Sequence, residues 1–193
     1  MMLGALMFRK LVFTAVCLTF VVVVVGAYVR LQDAGLGCPD WPGCYGHLVG
    51  VPDQADEIER ATQAFPDRPL ETHKAWKEMF HRYIAGALGV LIFAIMVTSW
   101  LQRRAPRESP LLPTVIVALV ALQGALGMWT VTMLLKPAIV ALHLLGGMAT
   151  LGLLTWLALR QIALPQEWLR LQWSRVQVHS LHTIYGYVLI YTT

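Results

Sequence analysis

Four long apolar segments dominate this chain, and they most restrict the folds that it can adopt. Each has about 20 residues, the length of α-helix that crosses a hydrocarbon core of roughly 30 Å. We place them at Leu11–Val29, Met79–Leu101, Leu111–Leu135 and Pro137–Leu159. Because 57% of the 193 residues are hydrophobic and only 13% are charged, the chain lacks the residues that cover a soluble domain. The sequence predicts an all-α, polytopic membrane protein built on a four-helix bundle.

A fifth apolar block opens near Val178 and runs to the last residue, Thr193. We therefore predict a truncated fifth helix, which favours a fragment over a half-sized form that pairs with itself. The predicted parts are a four-helix transmembrane unit at 1–160 with a large external loop at 30–77, a cytoplasmic loop at 161–176, and the start of a fifth transmembrane helix at 177–193. We also expect one short helix in the external loop, near Asp53–Thr62.

The first apolar segment has some features of a cleavable signal peptide. Arg9 and Lys10 resemble a short basic n-region, and Val25-Gly26-Ala27 resembles a cleavage site. The apolar run, however, is longer than the h-region of about 7–15 residues that signal peptides use. We expect an uncleaved first helix.

Basic residues are concentrated at one set of helix ends, and this predicts the orientation. The amino terminus and the segments after the second and fourth helices carry eight basic residues against two acidic ones, whereas Arg30–Arg82 carries six against nine. The eight are Arg9, Lys10, Arg103, Arg104, Arg107, Arg160, Arg170 and Arg175. The positive-inside rule places the amino terminus in the cytoplasm and the long loop outside a bacterial inner membrane. Because the basic residues flank apolar segments instead of forming one patch, we expect no nucleic-acid partner.

Two histidines lie inside the predicted membrane helices. His81 is a few residues from the outer end of the second helix, and His143 is about six residues, or roughly 9 Å, from that of the fourth. Two imidazoles at matched depth on separate helices can ligate one haem iron from opposite faces. The alternative is a structural role, although ionisable groups in membrane spans are costly and usually functional.

Small side chains share a helix face with each histidine. They are Ala85 and Gly89 after His81, and Gly146, Gly147 and Thr150 after His143. They leave room for a flat porphyrin, or they only let the helices pack closely.

Three charged residues lie at the outer boundary of the predicted bundle. Glu78 shares a helix face with His81 and could orient a ligand, move a proton or act on a substrate at the haem edge. Its alternative role is a carboxylate favoured by the helix macrodipole. Arg30 and Arg82 could pair with haem propionates or act as interfacial anchors.

The outer loop contains a close pair of cysteines, Cys38 and Cys44. The outside of a bacterial inner membrane is oxidising, so the pair can form a disulfide, either as a loop staple or as a reversible redox pair. No second pair has matching spacing, so we do not expect zinc. Cys17 is expected to be a small apolar residue buried within the first helix.

Gln123 lies at mid-membrane in the third helix. It could hydrogen-bond across helices or contact the porphyrin rim, and packing is the simpler expectation. We assign no role to the remaining histidines, which are His47, His73, His179 and His182.

Several motifs together resemble the haem A synthase family. The matching residues are Gly26–Leu31, Ala34–Pro42 and Cys44 in the first helix and outer loop, Glu78–Arg82 in the second helix, and Thr130-Val131, Leu135, Pro137 and Ala141–Leu144 in the third-to-fourth-helix segment. The resemblance extends from the first apolar segment to the fourth, in order. A Cys-Pro-Asp-Trp-Pro string with a downstream Glu-x-x-His-Arg is highly specific in combination.

The resemblance implies an enzyme that oxidises a methyl group of haem O to the formyl group of haem A, for terminal oxidase assembly. The reaction would proceed by successive oxygen-dependent hydroxylation and loss of water. His81 and His143 match the substrate-haem histidines, the axial ligands of the iron. Glu78 matches an essential carboxylate, and Cys38 and Cys44 match a loop cysteine pair, which we place with it among the catalytic residues.

The family is built as two similar four-helix halves, and this chain resembles the amino-terminal one. A haem b is expected in the carboxy-terminal half, which this sequence lacks, so we expect the isolated chain to bind haem but to be weakly active or inactive. Implied partners are haem O and membrane lipid, with haem O synthase, an electron donor and a second copy of the chain as further candidates.

Two other functions stay open. A non-catalytic, bis-histidine b-type cytochrome subunit that transfers electrons would use both buried histidines, but it gives no reason for Glu78 or the cysteines. A membrane thiol–disulfide oxidoreductase would use Cys38 and Cys44 and leave His81 and His143 without a role.

Overall fold

The computed structural model describes residues 2–102 and 109–162. Its helices are α1 (Met2–Leu31), α2 (Ala55–Ala64), α3 (Thr72–Leu101), α4 (Leu111–Thr132) and α5 (Pro137–Gln161). The described ranges contain no strand, only an isolated β-bridge between Cys44 and His47. All helices but α2 are long and apolar enough to cross a membrane. The prediction of an all-α, polytopic membrane protein is confirmed.

Part of the predicted organisation lies outside the described residues. This applies to the predicted loop at 161–176, apart from its first two residues, and to the predicted fifth helix at 177–193 with His179 and His182. The residues up to Ala158 form one compact unit.

Two membrane helices begin earlier than predicted. α1 begins at Met2, and its apolar span covers Leu6–Leu31. α3 begins at Thr72 instead of Met79, because the lysines and glutamate before Met79 favour helix although they are polar. Hydropathy marks only the apolar part of such a helix. His81 therefore lies well inside α3 and not a few residues from its start.

α4 ends earlier than predicted, at Thr132 instead of Leu135. Leu134 and Leu135 adopt left-handed conformations, with φ of 53° and 54°. Their N–H groups donate to carbonyls in the last turn of α4 at 3.1 and 2.8 Å, which is the pattern of a Schellman cap. The cap turns the chain directly into α5 at Pro137, and such a short connection makes α4 and α5 antiparallel neighbours.

The external loop contains one short helix, as predicted. The carboxylate of Glu57 accepts hydrogen bonds from the N–H groups of Asp53 at 3.2 Å and Gln54 at 3.4 Å, as a capping box does at a helix start. Arg60 and Asp56, one turn apart, form an ion pair at 2.7 Å. These contacts at the start of α2 are all made within its own turns.

The end of the bundle away from the loop has a closely packed core. We call it the distal core; it consists of Phe8, Val12, Ala15, Leu88, Ile92, Ile95, Ile116, Leu154, Leu157 and Ala158. The backbone of α3 approaches those of α1 and α4 most closely, whereas no described element comes as close to α5. α5 therefore joins this bundle through side chains of its second half.

Between the distal core and the loop the bundle is more open. Within residues 20–28, 80–87, 117–125 and 137–149, no residue is fully buried, although single side-chain atoms are. We call these residues the histidine band, since they include His81 and His143. Apolar side chains also cover the outer surface, as a lipid-facing bundle requires. Cys17 is among the exposed residues, so the expectation that it is buried was wrong; the helix turns it away from the neighbouring helices.

The loop closes the other end with a second buried cluster. This loop cluster consists of Cys38, Cys44, Tyr45, Val51, Ala61, Ala75 and Met79. Because Ala75 and Met79 belong to the first turns of α3, the loop packs directly onto the helix that carries His81.

Candidate functional site

The imidazoles of His81 and His143 come together within the histidine band. His81 on α3 and His143 on α5 lie close enough for a charge on one to act on the other. Both Nδ1 atoms are buried and lack a well-formed hydrogen bond to any described residue, although His143 lies near the backbone of Gln123. The structure thus places two incompletely satisfied imidazoles from separate helices within electrostatic range of each other.

A glycine on a neighbouring helix makes room for each imidazole. A Cβ atom added to Gly26 of α1 would lie 3.0 Å from Cε1 of His81, and one added to Gly127 of α4 would lie 3.4 Å from Cε1 of His143. The first distance is too short for an ordinary contact. Sequence reasoning missed these contacts, because neither glycine shares a helix with the ring that it accommodates.

The space that the small residue Gly146 leaves beside His143 is not empty. A Cβ added to Gly146 would lie 1.8 Å from Nε2 of Gln123, so the Gln123 side chain occupies that notch. Its Nε2 is buried and has no partner among the described residues. Gln123 therefore packs between α4 and α5, which was the simpler expectation from the sequence.

These residues fit a haem better than a bare metal ion. Within the described ranges, no three His, Cys, Asp or Glu side chains converge on one point, so protein ligands alone cannot complete a coordination shell there. A porphyrin already supplies four ligands to its iron and needs only axial groups. Two imidazoles on separate helices, in a band where no residue is fully buried, match that need.

Glu78 is buried where α3 meets the loop. Its side chain is 7% exposed, and its Oε2 accepts a hydrogen bond from the backbone N–H of Cys38 at 3.0 Å. Its Oε1 accepts a short hydrogen bond from Arg82. Because Glu78 precedes His81 by less than one helical turn, the carboxylate lies between the histidine band and the cysteine loop.

Arg82 is engaged with the cysteine loop. Its Nη1 donates to the backbone carbonyls of Asp40 at 3.1 Å and Pro42 at 3.3 Å, and more closely to that of Gly43. With Nη2 on Glu78, the guanidinium joins the loop to α3. Arg30, the other predicted propionate partner, is exposed in the last turn of α1.

Cys38 and Cys44 lie within this turn, joined at an S–S distance of 2.00 Å with their Cα atoms 4.8 Å apart. Asp40 shapes the turn, because its carboxylate accepts the N–H groups of Tyr45 at 2.6 Å and Gly46 at 2.8 Å. The structure thus brings the predicted residues Cys38, Cys44, Glu78 and Arg82 into one contact network.

Tyr45 joins the loop cluster to the segment that precedes α3. Its hydroxyl donates to the carbonyls of Pro69 at 3.1 Å and Arg68 at 3.3 Å, and its ring meets Phe65 edge to face at 5.5 Å. Burial raises the pKa of this hydroxyl above its usual value. It therefore stays protonated, and remains a donor, throughout the physiological pH range.

Comparison with known proteins connects this geometry to a family. A family model described as cytochrome oxidase assembly protein matches residues 9–192. A haem A synthase of Shewanella oneidensis is 54% identical over 142 residues, which are 74% of this chain and 42% of that protein. A haem A synthase of Novosphingobium aromaticivorans is 31% identical over 185 residues, covering 84% of this chain and 51% of its own length.

A more distant haem A synthase, of Bacillus licheniformis, is 28% identical over 186 residues, covering 94% of this chain and 55% of its own length. The chain thus spans about half the length of the curated relatives that it matches. The family resemblance seen in the motifs is confirmed, since the family model covers nearly the whole sequence. The chain belongs to the cytochrome oxidase assembly protein family, together with relatives that are named haem A synthase.

Proposed function

We propose that this chain forms the substrate-haem site of a haem A synthase. In this proposal haem O is held between His81 and His143, and one methyl group is oxidised to the formyl group of haem A for terminal oxidases. The observation that carries it is the pair of imidazoles on separate helices within electrostatic range of each other, in a band of the bundle where no residue is fully buried.

The energetics of the histidine band support a ligand there. A buried polar group without a partner costs about 1–3 kcal/mol, and the described residues leave three such atoms in this band, on His81, Gln123 and His143. Proteins rarely keep such atoms close together unless something else satisfies them, such as an ordered water or a group of a bound ligand. A haem iron would take the Nε2 atoms of the imidazoles, so the two Nδ1 atoms would still need a partner of this kind.

Glu78 is proposed as the group that holds or moves a proton at the edge of the substrate. It lies on the same side of α3 as His81, and the Cys38 N–H and Arg82 hold its two oxygens in fixed directions. Cys38 and Cys44 act beside it, either by holding the turn against Glu78 or by cycling between disulfide and dithiol during turnover.

The two arginines are proposed to have different roles. Arg82 already contacts Glu78 and three loop carbonyls, so we assign it to positioning Glu78 and the cysteine turn. Arg30 is exposed at the loop end of α1 and can pair with a propionate at the haem edge.

The chain is a multi-pass membrane protein, and we propose that it lies in a bacterial inner membrane. The positive-inside rule favours a cytoplasmic amino terminus and a periplasmic loop. Oxidation of a methyl group also needs an electron donor and oxygen, and a membrane-bound haem O synthase is a natural source of substrate. A second copy of this chain is a further candidate partner.

The direct test is the haem content and haem type of the purified chain after expression with haem O. We expect bound haem, and we expect His81→Ala or His143→Ala to lower its occupancy sharply, because each removes one axial ligand. A His73→Ala variant serves as the control, since His73 is exposed at the start of α3. Absorption spectra in the Soret region measure the occupancy.

The identity of the product tests the reaction itself. Formyl-bearing haem in the extract supports the enzyme, whereas bound haem without any formyl product, in the chain or in a version extended to the length of its relatives, would favour the b-type cytochrome. None of the relatives described above has that name. If both histidine variants keep full haem occupancy, the proposed site is wrong.

A further inference from the structure

The tip of the external loop lies against one side of α3. The backbone N–H of Gly50 donates a hydrogen bond to the hydroxyl of Tyr83 at 2.7 Å. Tyr83 belongs to the membrane-crossing helix, well past its start at Thr72. The segment His47–Gly50, which we call the loop tip, therefore runs down beside the helix and does not project away from the bundle.

The side of α3 that the loop tip contacts is its lipid-facing side. Exposed residues follow one another at intervals of three, four or seven along this helix, so they share one face. They are Trp76, Phe80, Tyr83 and Val90, which are 43%, 53%, 40% and 73% exposed. In a membrane-crossing helix, an exposed and largely apolar face contacts lipid. The loop tip is thus placed on a surface that already faces the bilayer.

The level of the contact along α3 matches the edge of the hydrocarbon. About 20 helical residues cross the bilayer core. In α3, the 20 residues that end at Leu101 begin at Arg82, next to Tyr83. Arg82 also binds the loop carbonyls of Asp40 and Pro42, which keeps the start of this loop segment at the same level. Tyrosine is common at this depth, because its ring is apolar and its hydroxyl is polar.

The part of the external loop that includes the loop tip also has no charged residues. Between Asp40 and Asp53 there is no Asp, Glu, Lys or Arg, although the external loop is otherwise rich in acidic residues. Leu48 and Val49 are 76% and 81% exposed at the loop tip. Such an uncharged stretch with apolar side chains outward is unfavourable in water and favourable at a membrane interface.

We propose that the loop tip is inserted into the bilayer, with Leu48 and Val49 in contact with lipid acyl chains at the loop-side boundary. Gly46 and Gly50 have positive φ values of 81° and 84°, a conformation that glycine adopts without strain, and they frame the turn that presents both side chains. The inserted tip holds the loop down onto α3. It thereby gives the cysteine turn and Arg82 a second attachment besides their own hydrogen bonds.

The test uses spin labels at single cysteines in the full chain, reconstituted in phosphatidylcholine nanodiscs. Leu48→Cys and Val49→Cys are made in a Cys17→Ser background and labelled without reductant, so that the disulfide stays closed. Accessibility to molecular oxygen, which partitions into acyl chains, is compared with accessibility to a water-soluble nickel complex. Val90→Cys is the lipid-facing reference and Glu59→Cys, on the exposed side of α2, is the aqueous reference.

We expect the oxygen-to-nickel accessibility ratio at positions 48 and 49 to be several-fold higher than at position 59 and close to that at position 90. A ratio at both positions like that at position 59 means that the tip lies in water, and this overturns the proposal. Low accessibility to both reagents means that protein covers the tip, and this overturns it as well. The readout is independent of haem and of enzymatic activity.

Discussion

The loop cluster and the histidine band are adjacent regions of one bundle, yet they satisfy their polar groups in opposite ways. Beside the loop cluster, Glu78 is buried and Arg82 is partly buried, and each is bound on more than one side. In the histidine band, His81 and His143 have buried nitrogen atoms without well-formed partners. The loop cluster is completed by the protein itself, whereas the histidine band has the properties of a site that a ligand completes.

This difference separates residues that hold the structure from residues that we propose hold a ligand. Removing the side chain of Glu78 or Arg82, beside the loop cluster, leaves its charged partner largely buried and alone, so it should destabilise the protein with or without haem. Changing the histidine band should mainly alter haem binding, since the described residues make few contacts there. The predictions below test that separation.

The largest effect is expected for Glu78→Ala. Breaking a buried ion pair costs about 3–5 kcal/mol, because the guanidinium of Arg82 would lose its carboxylate and the Cys38 N–H would lose its acceptor. Thermal unfolding of the haem-free chain in detergent measures this loss. Glu71→Ala is the matched control: its ion pair with Lys74, at 3.0 Å, is more exposed than that of Glu78, with side chains 49% and 23% exposed, and it contributes about 1 kcal/mol or less. Similar losses of thermal stability in both variants would show that the Glu78–Arg82 pair contributes no more than the more exposed pair.

A smaller effect is expected for alanine substitutions of glycines around the imidazoles. In Gly26→Ala the new Cβ would lie 3.0 Å from the His81 ring, and overpacking of about 1–3 kcal/mol should weaken haem binding roughly tenfold. Gly127→Ala, with a 3.4 Å contact to His143, should have a milder effect. Haem titration followed by absorbance gives the affinities.

The control for this series is Gly124→Ala, because a Cβ there meets nothing within 4 Å. It changes only helix propensity, so the affinity should stay near that of the unmodified chain. If Gly26→Ala and Gly124→Ala bind haem equally well, the rings do not need the space that the glycines leave.

The smallest effect concerns the start of α2, away from both regions. Hydrogen bonds from the backbone N–H groups of Asp53 and then Gln54 lower the pKa of Glu57 below its usual value of 4.5. A lowered pKa means that the ionised carboxylate stabilises the fold, fully above pH 4.5 and progressively less as the pH falls through the lowered value. Amide exchange protection in α2, corrected for intrinsic rates, should decrease as the pH falls below 4.5.

In Glu57→Gln this acid-induced decrease in protection should disappear, whereas Glu59→Gln should retain it, because Glu59 is not part of the capping contact. The histidine band should give the same haem spectrum in both variants. A decrease that persists in Glu57→Gln would assign the pH dependence to another group.

The main features of the fold could be predicted because they are local. An apolar block of about 20 residues has few alternatives to a membrane helix, and the capping residues of α2 act on their own turn. The errors fall where hydropathy gives no information, at the polar start of α3 and at the left-handed leucines after α4. At those ends the outcome depends on backbone hydrogen bonds and not on apolar content.

The sequence by itself determined which residue types are in the membrane, that His81 and His143 lie on separate helices, and that two cysteines share one loop. Only the tertiary structure decided what those residues contact. The partners of Arg82 lie about 40 residues earlier in the chain, the glycine against His81 is on α1, and the loop tip returns to Tyr83. The physical reason is that helix formation depends on neighbours in sequence, whereas contacts between elements depend on how their surfaces meet.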